Sequence, residues 1–300
     1  MQTDERAHRV AALAGAPTAE RVARIQQLWG GYGEAARYAL GGGATVVVKH
    51  VRPGHGTGRS HARKLRSYDV EQAWYARWAA RCGSACRVPR ALGCSKGDGE
   101  WLFVLEDLDA AGFAARAPFL GDARLELCLR WLAAFHATFL GEQPDGLWSI
   151  GTYWHLGTRP DELAAMPAGR LRDAAATIDA RLNAARFQTF VHGDAKPSNF
   201  CFGRDAVAAV DFQYVGGGCG MKDVAYLLSG ETRRATERAL DVYFAALAEH
   251  LDDAAPVEAE WRELFPWAWA DFQRFLAGWA PGARDNAYGR SLTEQVLDAC

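Results

Sequence analysis

The stretch VHGDAKPSNFCFGRDAVAAVDFQYVGGGCGMKD, residues 191–223, decides the interpretation of this 300-residue chain. It places Asp194, Lys196 and Asn199 on one short loop. Asp211 follows the apolar run AVAAV, which indicates a strand, and the end of a strand holds a side chain rigidly. The stretch therefore brings two carboxylates, an amide and a lysine to one small region.

This order of side chains suits phosphoryl transfer from a magnesium nucleotide. We expect Asp194 to accept a hydrogen bond from an attacking hydroxyl and to take its proton. We expect Lys196 to meet the moving phosphate, while Asn199 and Asp211 offer the oxygen ligands that Mg²⁺ prefers. His192 is expected to support the loop rather than to react.

Lys49 lies in the apolar strand ATVVVKHV, where a buried ammonium costs free energy unless it is paired. We interpret it as a ligand of nucleotide phosphates that also pairs with a carboxylate on the next helix. Glu71 in SYDVEQAWY is the better candidate, because Asp69 falls nearly opposite on the helix. A strand-end lysine that reaches solvent is the alternative.

Two further segments suit a nucleotide site. The turn GGYGEAA, residues 30–36, has the form Gly-x-Gly-x-x-Ala, in which Gly31 and Gly33 would let backbone NH groups approach phosphates. A plain hairpin turn fits it equally well. The strand LFVLEDL ends near Glu106 and Leu108, where two lobes would join and adenine would bond to the backbone.

The apolar patterns predict an α+β fold in two lobes. A helix over residues 4–23 precedes a five-stranded sheet over 24–105, into which a helix over 62–82 is inserted. Later helices are predicted over 122–140, 160–186, 222–230, 233–251, 257–279 and 290–299. We therefore predict a β-rich nucleotide-binding lobe over 1–105 and a helical lobe for catalysis and substrate over 106–300.

The composition is that of a soluble globular protein, with 49% hydrophobic and 23% charged residues. A formal net charge of −2 without a long basic run argues against a nucleic-acid partner. No stretch approaches the roughly 20 apolar residues of a membrane span, and the start does not resemble a secretory signal. We expect a cytoplasmic protein. Seven scattered cysteines argue against a disulfide framework.

Two aromatic-rich segments are candidates for the substrate side. SIGTYWHLGTRPDEL contains Trp154 and His155, and FPWAWADFQRFLAGW contains Trp267 and Asp271. An aromatic wall with an acid would bind a cationic or amphipathic alcohol. The same residues are equally suited to pack a helical core, so a choline-like or aminoglycoside cation and a bulky sterol-like alcohol both stay open.

These motifs resemble the aminoglycoside phosphotransferase and choline kinase superfamily, which shares the bilobal protein-kinase-like fold. The resemblance runs from Arg24 to Leu251 and is greatest to the ecdysteroid kinase-like group and its bacterial relatives. It implies ATP and Mg²⁺ between the lobes and transfer of the γ-phosphate to a hydroxyl of a small molecule. It also implies that Asp223, in GMKDVAYLL, braces the backbone of the catalytic loop.

Other functions fit the sequence less well. Only a short glycine-rich segment separates Asp211 from Asp223, and no Ala-Pro-Glu anchor follows, which disfavours a protein kinase. A nucleotide-binding pseudokinase is disfavoured because the catalytic and metal-binding residues are all present. A metal hydrolase built on His192 and the two carboxylates would leave Lys49 unexplained.

Overall fold

The structure, a computed structural model, describes residues 2–54, 56–283 and 285–300. Its N-terminal part is an antiparallel five-stranded sheet in the order β1-β2-β3-β5-β4. The strands are β1 Ala19–Gln27, β2 Gly33–Leu40, β3 Thr45–Val51, β4 Ala91–Gly97 and β5 Glu100–Glu106. One long helix, α2 Arg59–Arg77, follows β3, and α1 Gln2–Ala14 precedes the sheet.

The C-terminal part is mostly helical. Its short strands are β6 Thr189–Val191, paired with β9 Gly216–Gly218, and β7 Phe200–Phe202, paired with β8 Val207–Ala209. Its helices are α3 Asp122–Thr138, α4 Pro160–Ala165, α5 Arg170–Asp173, α6 Ala175–Asn183, α7 Met221–Leu227, α8 Arg233–Ala248, α9 Ala255–Trp279 and α10 Ala287–Ala299. The predicted α+β fold, with one long helix in the β-rich part, is confirmed. No helix in the described part of the chain is long and apolar enough to cross a membrane.

Two predicted helices are wrong in extent. The helix predicted over 4–23 ends at Ala14, because Gly15 adopts a left-handed φ of 64° and Pro17 follows; residues 19–23 belong to β1 instead. The helix predicted over 160–186 is three short helices. Pro167 and Gly169, which has a φ of 149°, interrupt it.

The two faces of β3 have different surroundings, since side chains alternate along a strand. Val46 and Val48 are buried in a small core with Val10 of α1. Val47 and Lys49 point to the opposite face and line a cleft beneath the sheet. The strand therefore presents its single lysine to the cleft.

The main hydrophobic core connects α2 to the segment that carries Asp211. Trp74 of α2 is fully buried, and its ring stacks on Phe212 with 4.5 Å between centroids. Phe135 and Phe139 of α3 pack against the same indole at 5.7 and 5.6 Å. Because Phe212 directly follows Asp211, this contact holds Asp211 in place relative to α2.

Candidate active site

Lys49 and Glu71 form a buried ion pair between β3 and α2. The Lys49 ammonium lies 2.9 and 2.7 Å from the two Glu71 oxygens. Burial alone would lower the pKa of Lys49, but Asp211 and Glu71 outweigh it and raise that pKa. Burial raises the pKa of Glu71 to about 6, so the pair is charged at neutral pH. Asp69, the second candidate, is bonded to Lys96 instead.

Asp211 joins this pair from the C-terminal part. Its Oδ1 accepts from Lys49 Nζ at 3.0 Å and from Gln213 Nε2 at 2.7 Å. Asp211 has a φ of 69°, a left-handed conformation that costs a non-glycine residue about 1–3 kcal/mol and that clusters at functional sites. Burial alone would raise the pKa of Asp211, but Lys49 and Lys64 outweigh it and lower the pKa to about 2. The carboxylate is thus fixed as an anion.

The two oxygens of Asp194 have different partners. Oδ2 accepts from Lys196 Nζ at 2.8 Å and from Asn199 Nδ2 at 3.0 Å. Oδ1 has one long contact, 3.4 Å from the Tyr226 hydroxyl. Burial raises the pKa of Asp194, and Lys196 partly offsets that rise. The arrangement leaves Oδ1 as the oxygen that an incoming hydroxyl can reach.

Asn199 and Asp211 each have one side-chain oxygen outside the hydrogen bonds described above, and these two oxygens can hold a divalent cation. Asn199 Nδ2 also donates to the Asp194 carbonyl at 2.8 Å, so its amide orientation leaves Oδ1 free for a metal. Among the described residues, Asp211 Oδ2 has no hydrogen-bond donor in reach. One amide oxygen and one ionised carboxylate are the hard donors that Mg²⁺ prefers.

Asp223 braces the backbone of the loop over residues 192–199, which is called the catalytic loop below. Its carboxylate accepts from the backbone NH groups of His192 at 2.5 Å and Gly193 at 2.9 Å. His136 of α3 lies 3.2 Å from the same carboxylate. The His192 ring accepts from the Asp194 NH through Nδ1 and donates to the Val210 carbonyl through Nε2. His192 therefore supports the loop, as expected, and His136 is a supporting residue that the sequence did not reveal.

A cleft of about 370 Å³ lies between the sheet and this loop. Its charged and polar lining includes Lys49, Glu71, Lys196, Asn199 and Asp211. The aliphatic part of the lining, called the aliphatic compartment below, is formed by Ile25, Leu28, Ala35, Val47, Leu105 and Leu108. The cleft thus combines an apolar compartment with a compartment rich in charge, which is typical of small-molecule sites.

The cleft lining also carries charged side chains to which the sequence analysis gave no role, namely Arg37, Asp107, Asp109 and Arg116. Arg37 of β2 donates to Asp107 at 2.6 Å and to Asp109 at 2.6 Å, and Arg116 donates to Asp109 at 2.8 Å. Glu106 also lines the cleft, with its carboxylate bound by Arg87. The sequence does show Asp107 and Asp109 as an acidic run after β5. Their partner, Arg37, lies about 70 residues earlier, so the pairing could not be predicted from the sequence.

Gly31 and Gly33 do not line the cleft. Gly31 is exposed at the turn between β1 and β2. Gly33 is required for packing, because a Cβ there would lie 2.0 Å from the carbonyl oxygen of His50. The structure therefore explains Gly33 through the close approach of two strands, and its proposed contact with phosphate finds no support in this position.

The four predicted substrate residues lie in or near the helical core. Trp154 and Asp271 are fully buried, and the indole Nε1 donates to Asp271 at 3.0 Å. Arg274 neutralises Asp271 at 2.7 Å, so that acid faces a protein cation rather than a substrate. Trp267 is half-buried against the main core, and burial lowers the pKa of His155 to about 4. The placement of Trp154 and Asp271 gives a substrate role no support.

Tyrosine side chains, rather than the four predicted substrate residues, lie next to Asp194 Oδ1. Tyr226 of α7 contacts Asp194 Oδ1, and Tyr153 lies 3.4 Å from the Tyr226 hydroxyl. The ring centroids of Tyr153 and Tyr214 are 6.0 Å apart, and Phe275 of α9 lies 5.3 Å from Tyr153. The three tyrosines are each partly exposed and are called the aromatic wall below, and Phe275, which is 1% exposed, packs against it. Its members come from separate segments, so no local pattern in the sequence marks it.

A buried pair of a lysine and a carboxylate beside a cleft, facing a loop with Asp194 and Asn199, is typical of kinase-type phosphotransferases. The phosphotransferase enzyme family matches residues 24–264. The chain belongs to this family. No curated protein matches the chain.

Solved structures share the fold at low sequence identity. The macrolide 2′-phosphotransferase MphH from Brachybacterium faecium, solved as apoenzyme, superposes with a TM-score of 0.52 at 15% identity, covering 98% of each chain. The amicoumacin kinase hAmiN, in complex with AMP-PNP, Ca²⁺ and Ami, superposes with a TM-score of 0.51 at 11% identity, covering 93% of this chain and 86% of its own. The expected closeness to ecdysteroid kinase-like proteins stays a prediction.

We predict that Asp223→Ala destabilises the protein. Two buried backbone NH groups and His136 lose their shared acceptor, which should lower the free energy of unfolding by about 2–4 kcal/mol. Urea denaturation measures this change. Asp205→Ala, in the exposed loop between β7 and β8, is the matched control and should unfold like the unaltered protein. Equal stability of the two variants would contradict the brace.

Proposed function

We propose that the protein transfers the γ-phosphate of ATP, in a Mg²⁺-dependent reaction, to a hydroxyl of a small molecule. The observation that carries this proposal is the convergence of Lys49, Asn199 and Asp211 on one cleft, with Asp194 bonded to Asn199 beside it. These residues match the requirements for phosphoryl transfer: a cation for phosphate, oxygen ligands for metal, and a carboxylate base.

The cleft suits a nucleotide. Its aliphatic compartment fits an adenine ring, and Glu106 and Leu108 would offer backbone groups where β5 leaves the sheet. We place the division between the nucleotide-binding lobe, residues 1–105, and the catalytic lobe, residues 106–300, at this point. Lys49 belongs to the charged part of the lining, where nucleotide phosphates would bind. The complex of the similarly folded amicoumacin kinase with AMP-PNP and Ca²⁺ supports this assignment.

Asn199 and Asp211 are the residues that would hold Mg²⁺. When bound, the metal neutralises negative charge on the phosphates. Asp211 is suited to this role because Lys49 and Lys64 keep its pKa low, so it stays ionised across the physiological range. Asn199 is held in orientation by its two bonds to Asp194.

Asp194 is the proposed base. In the reaction, a bond forms between the acceptor oxygen and the γ-phosphorus, and the bond from that phosphorus to the oxygen that stays on ADP breaks. The proton of the acceptor hydroxyl passes to Asp194. Lys196 bonds to Oδ2, which turns Oδ1 toward the acceptor side and places a cation near the transferred group. General-base assistance of this kind is worth about 10²–10⁴-fold.

The aromatic wall is the proposed acceptor site. Arg159 lies over the rings of Tyr153, Phe275 and Trp279 at 5.8, 5.2 and 5.5 Å, and it pairs with Glu162 at 2.9 Å. Because Arg159 already neutralises the Glu162 carboxylate, the wall has little negative charge with which to bind a polycation. We therefore favour a ring-bearing, uncharged alcohol, of which a sterol-like acceptor is one example, over an aminoglycoside.

A protein substrate is disfavoured by the segment between Asp211 and α7. Most of residues 212–220 are buried, and part of the segment pairs as β9 with β6. A peptide would need an exposed docking surface there. This placement favours a small acceptor.

A phosphotransfer screen over small alcohols, with products detected by mass, tests the acceptor class. We expect uncharged ring-bearing alcohols to be phosphorylated, because aromatic side chains line the approach to Asp194. Tyr226→Ala should raise the KM for the acceptor more than the KM for ATP. Activity restricted to polycationic aminoglycosides would refute the proposed acceptor class.

Asp194→Ala and Asp211→Ala should separate catalysis from nucleotide binding. Asp194→Ala is expected to lower turnover by about 10²–10⁴-fold while the thermal shift with Mg-ATP survives. Asp211→Ala is expected to abolish the Mg²⁺-dependent part of that shift. Asp205→Ala serves as the exposed control. If the unaltered protein shows no Mg-ATP-dependent shift, the proposed function is wrong.

The pH dependence of kcat/KM should report on Asp194. Its carboxylate must be deprotonated to accept a proton, and burial raises its pKa, so activity should fall on the acid side at a pH above the ordinary aspartate value of about 3.9. Lys196→Met removes the cation that favours the ionised form, so the acid limb should move to higher pH. Lys96→Met is the control and should leave the acid limb of the pH profile in place. If the acid limb does not move in Lys196→Met, the assignment of this limb to Asp194 is wrong.

A further inference from the structure

Lys64 helps to hold the pKa of Asp211 low, but the mechanism described so far gives its ammonium no contact with nucleotide or acceptor. It precedes Glu71 by seven residues on α2, which places both on the same side of the helix. Its ammonium donates to Gln213 Oε1 at 2.7 Å and lies 5.1 Å from the centre of the Tyr68 ring. The side chain is therefore half-buried and directed toward Gln213, two residues after Asp211.

The Lys64 charge lacks a direct counter-ion. Within the described chain, no carboxylate lies within 4.0 Å of its Nζ, whereas Lys49 pairs with Glu71 and Lys196 with Asp194. A half-buried cation that bonds only to an amide oxygen is poorly compensated. An ammonium has three donors, and Gln213 uses one of them. Two donors are thus available to an anion.

Gln213 fixes where that anion would bind. It accepts from Lys64 through Oε1 and donates to Asp211 Oδ1 through Nε2 at 2.7 Å. Ser67 Oγ lies 3.2 Å from the same Oε1, although its shorter bond, at 2.7 Å, is to the Lys64 carbonyl. The chain of bonds places the Lys64 ammonium near the carboxylate proposed to hold Mg²⁺.

We propose that Lys64 binds the terminal phosphate of the nucleotide, a contact available to ATP and absent with ADP. This inference rests on the proposed ATP-dependent function. Lys49 lies deeper, between β3 and α2, and suits the inner phosphates. Lys64 approaches from the start of α2 and adds a second cation to the group that moves, where a fixed positive charge stabilises the negative charge of the transition state.

Lys64→Met tests the assignment through binding alone, without a known acceptor. Isothermal titration with Mg²⁺ and either AMP-PNP or ADP gives the two affinities. We expect the variant to bind AMP-PNP about 10- to 100-fold more weakly, the loss typical of a charge-assisted hydrogen bond. ADP affinity should change by less than about threefold. Lys64→Arg should retain most of the preference for AMP-PNP.

Lys96→Met is the matched control, because Lys96 is exposed on the sheet and pairs with Asp69. It should leave both affinities unchanged. Lys64→Gln provides a second neutral variant should Lys64→Met fold poorly, and circular dichroism checks the fold of each. Equal weakening of AMP-PNP and ADP, or no weakening of either, would overturn the role of Lys64. An unaltered protein that binds neither nucleotide would overturn the proposed function itself, and this inference with it.

Discussion

The buried contact among Lys49, Glu71 and Asp211 is the interaction on which the rest of the site depends. Its three members come from a strand, a helix and a distant loop. Removing Lys49 would leave two carboxylates without their shared cation, and an unpaired buried charge costs about 3–5 kcal/mol. The stack of Trp74 on Phe212 supports the same geometry through packing. The sheet, α2 and the carboxylate proposed to bind metal are therefore held in one arrangement.

The sequence predicted the parts of this site that are local. Asp194, Lys196 and Asn199 sit on one short loop, so their spacing alone places them together. Glu71 was separable from Asp69 because helical periodicity turns the two carboxylates to different sides. The role of Tyr226 could not be predicted in this way, because its contact with Asp194 depends on the packing of α7 beside the catalytic loop.

Where sequence reasoning went wrong, tertiary structure overrode local preference. The segment AERVAR, residues 19–24, contains good helix formers, yet it pairs with β2 as the edge of the sheet. Aromatic content likewise did not distinguish a pocket from a core. Trp154 and Asp271 looked like a substrate wall, but Arg274, three residues after Asp271 on α9, neutralises that acid inside the protein.

Helix α7 carries both Asp223, which holds the catalytic loop, and Tyr226, which faces the acceptor side, one helical turn apart. In the proposed mechanism, this part of the acceptor wall is tied to the base through α7 and tolerates little change. The outer part of the proposed wall, around Arg159 and Trp279, belongs to other segments. Under this proposal, substrate range can diverge at the outer wall without disturbing the chemistry, so one catalytic apparatus would serve relatives with unlike acceptors.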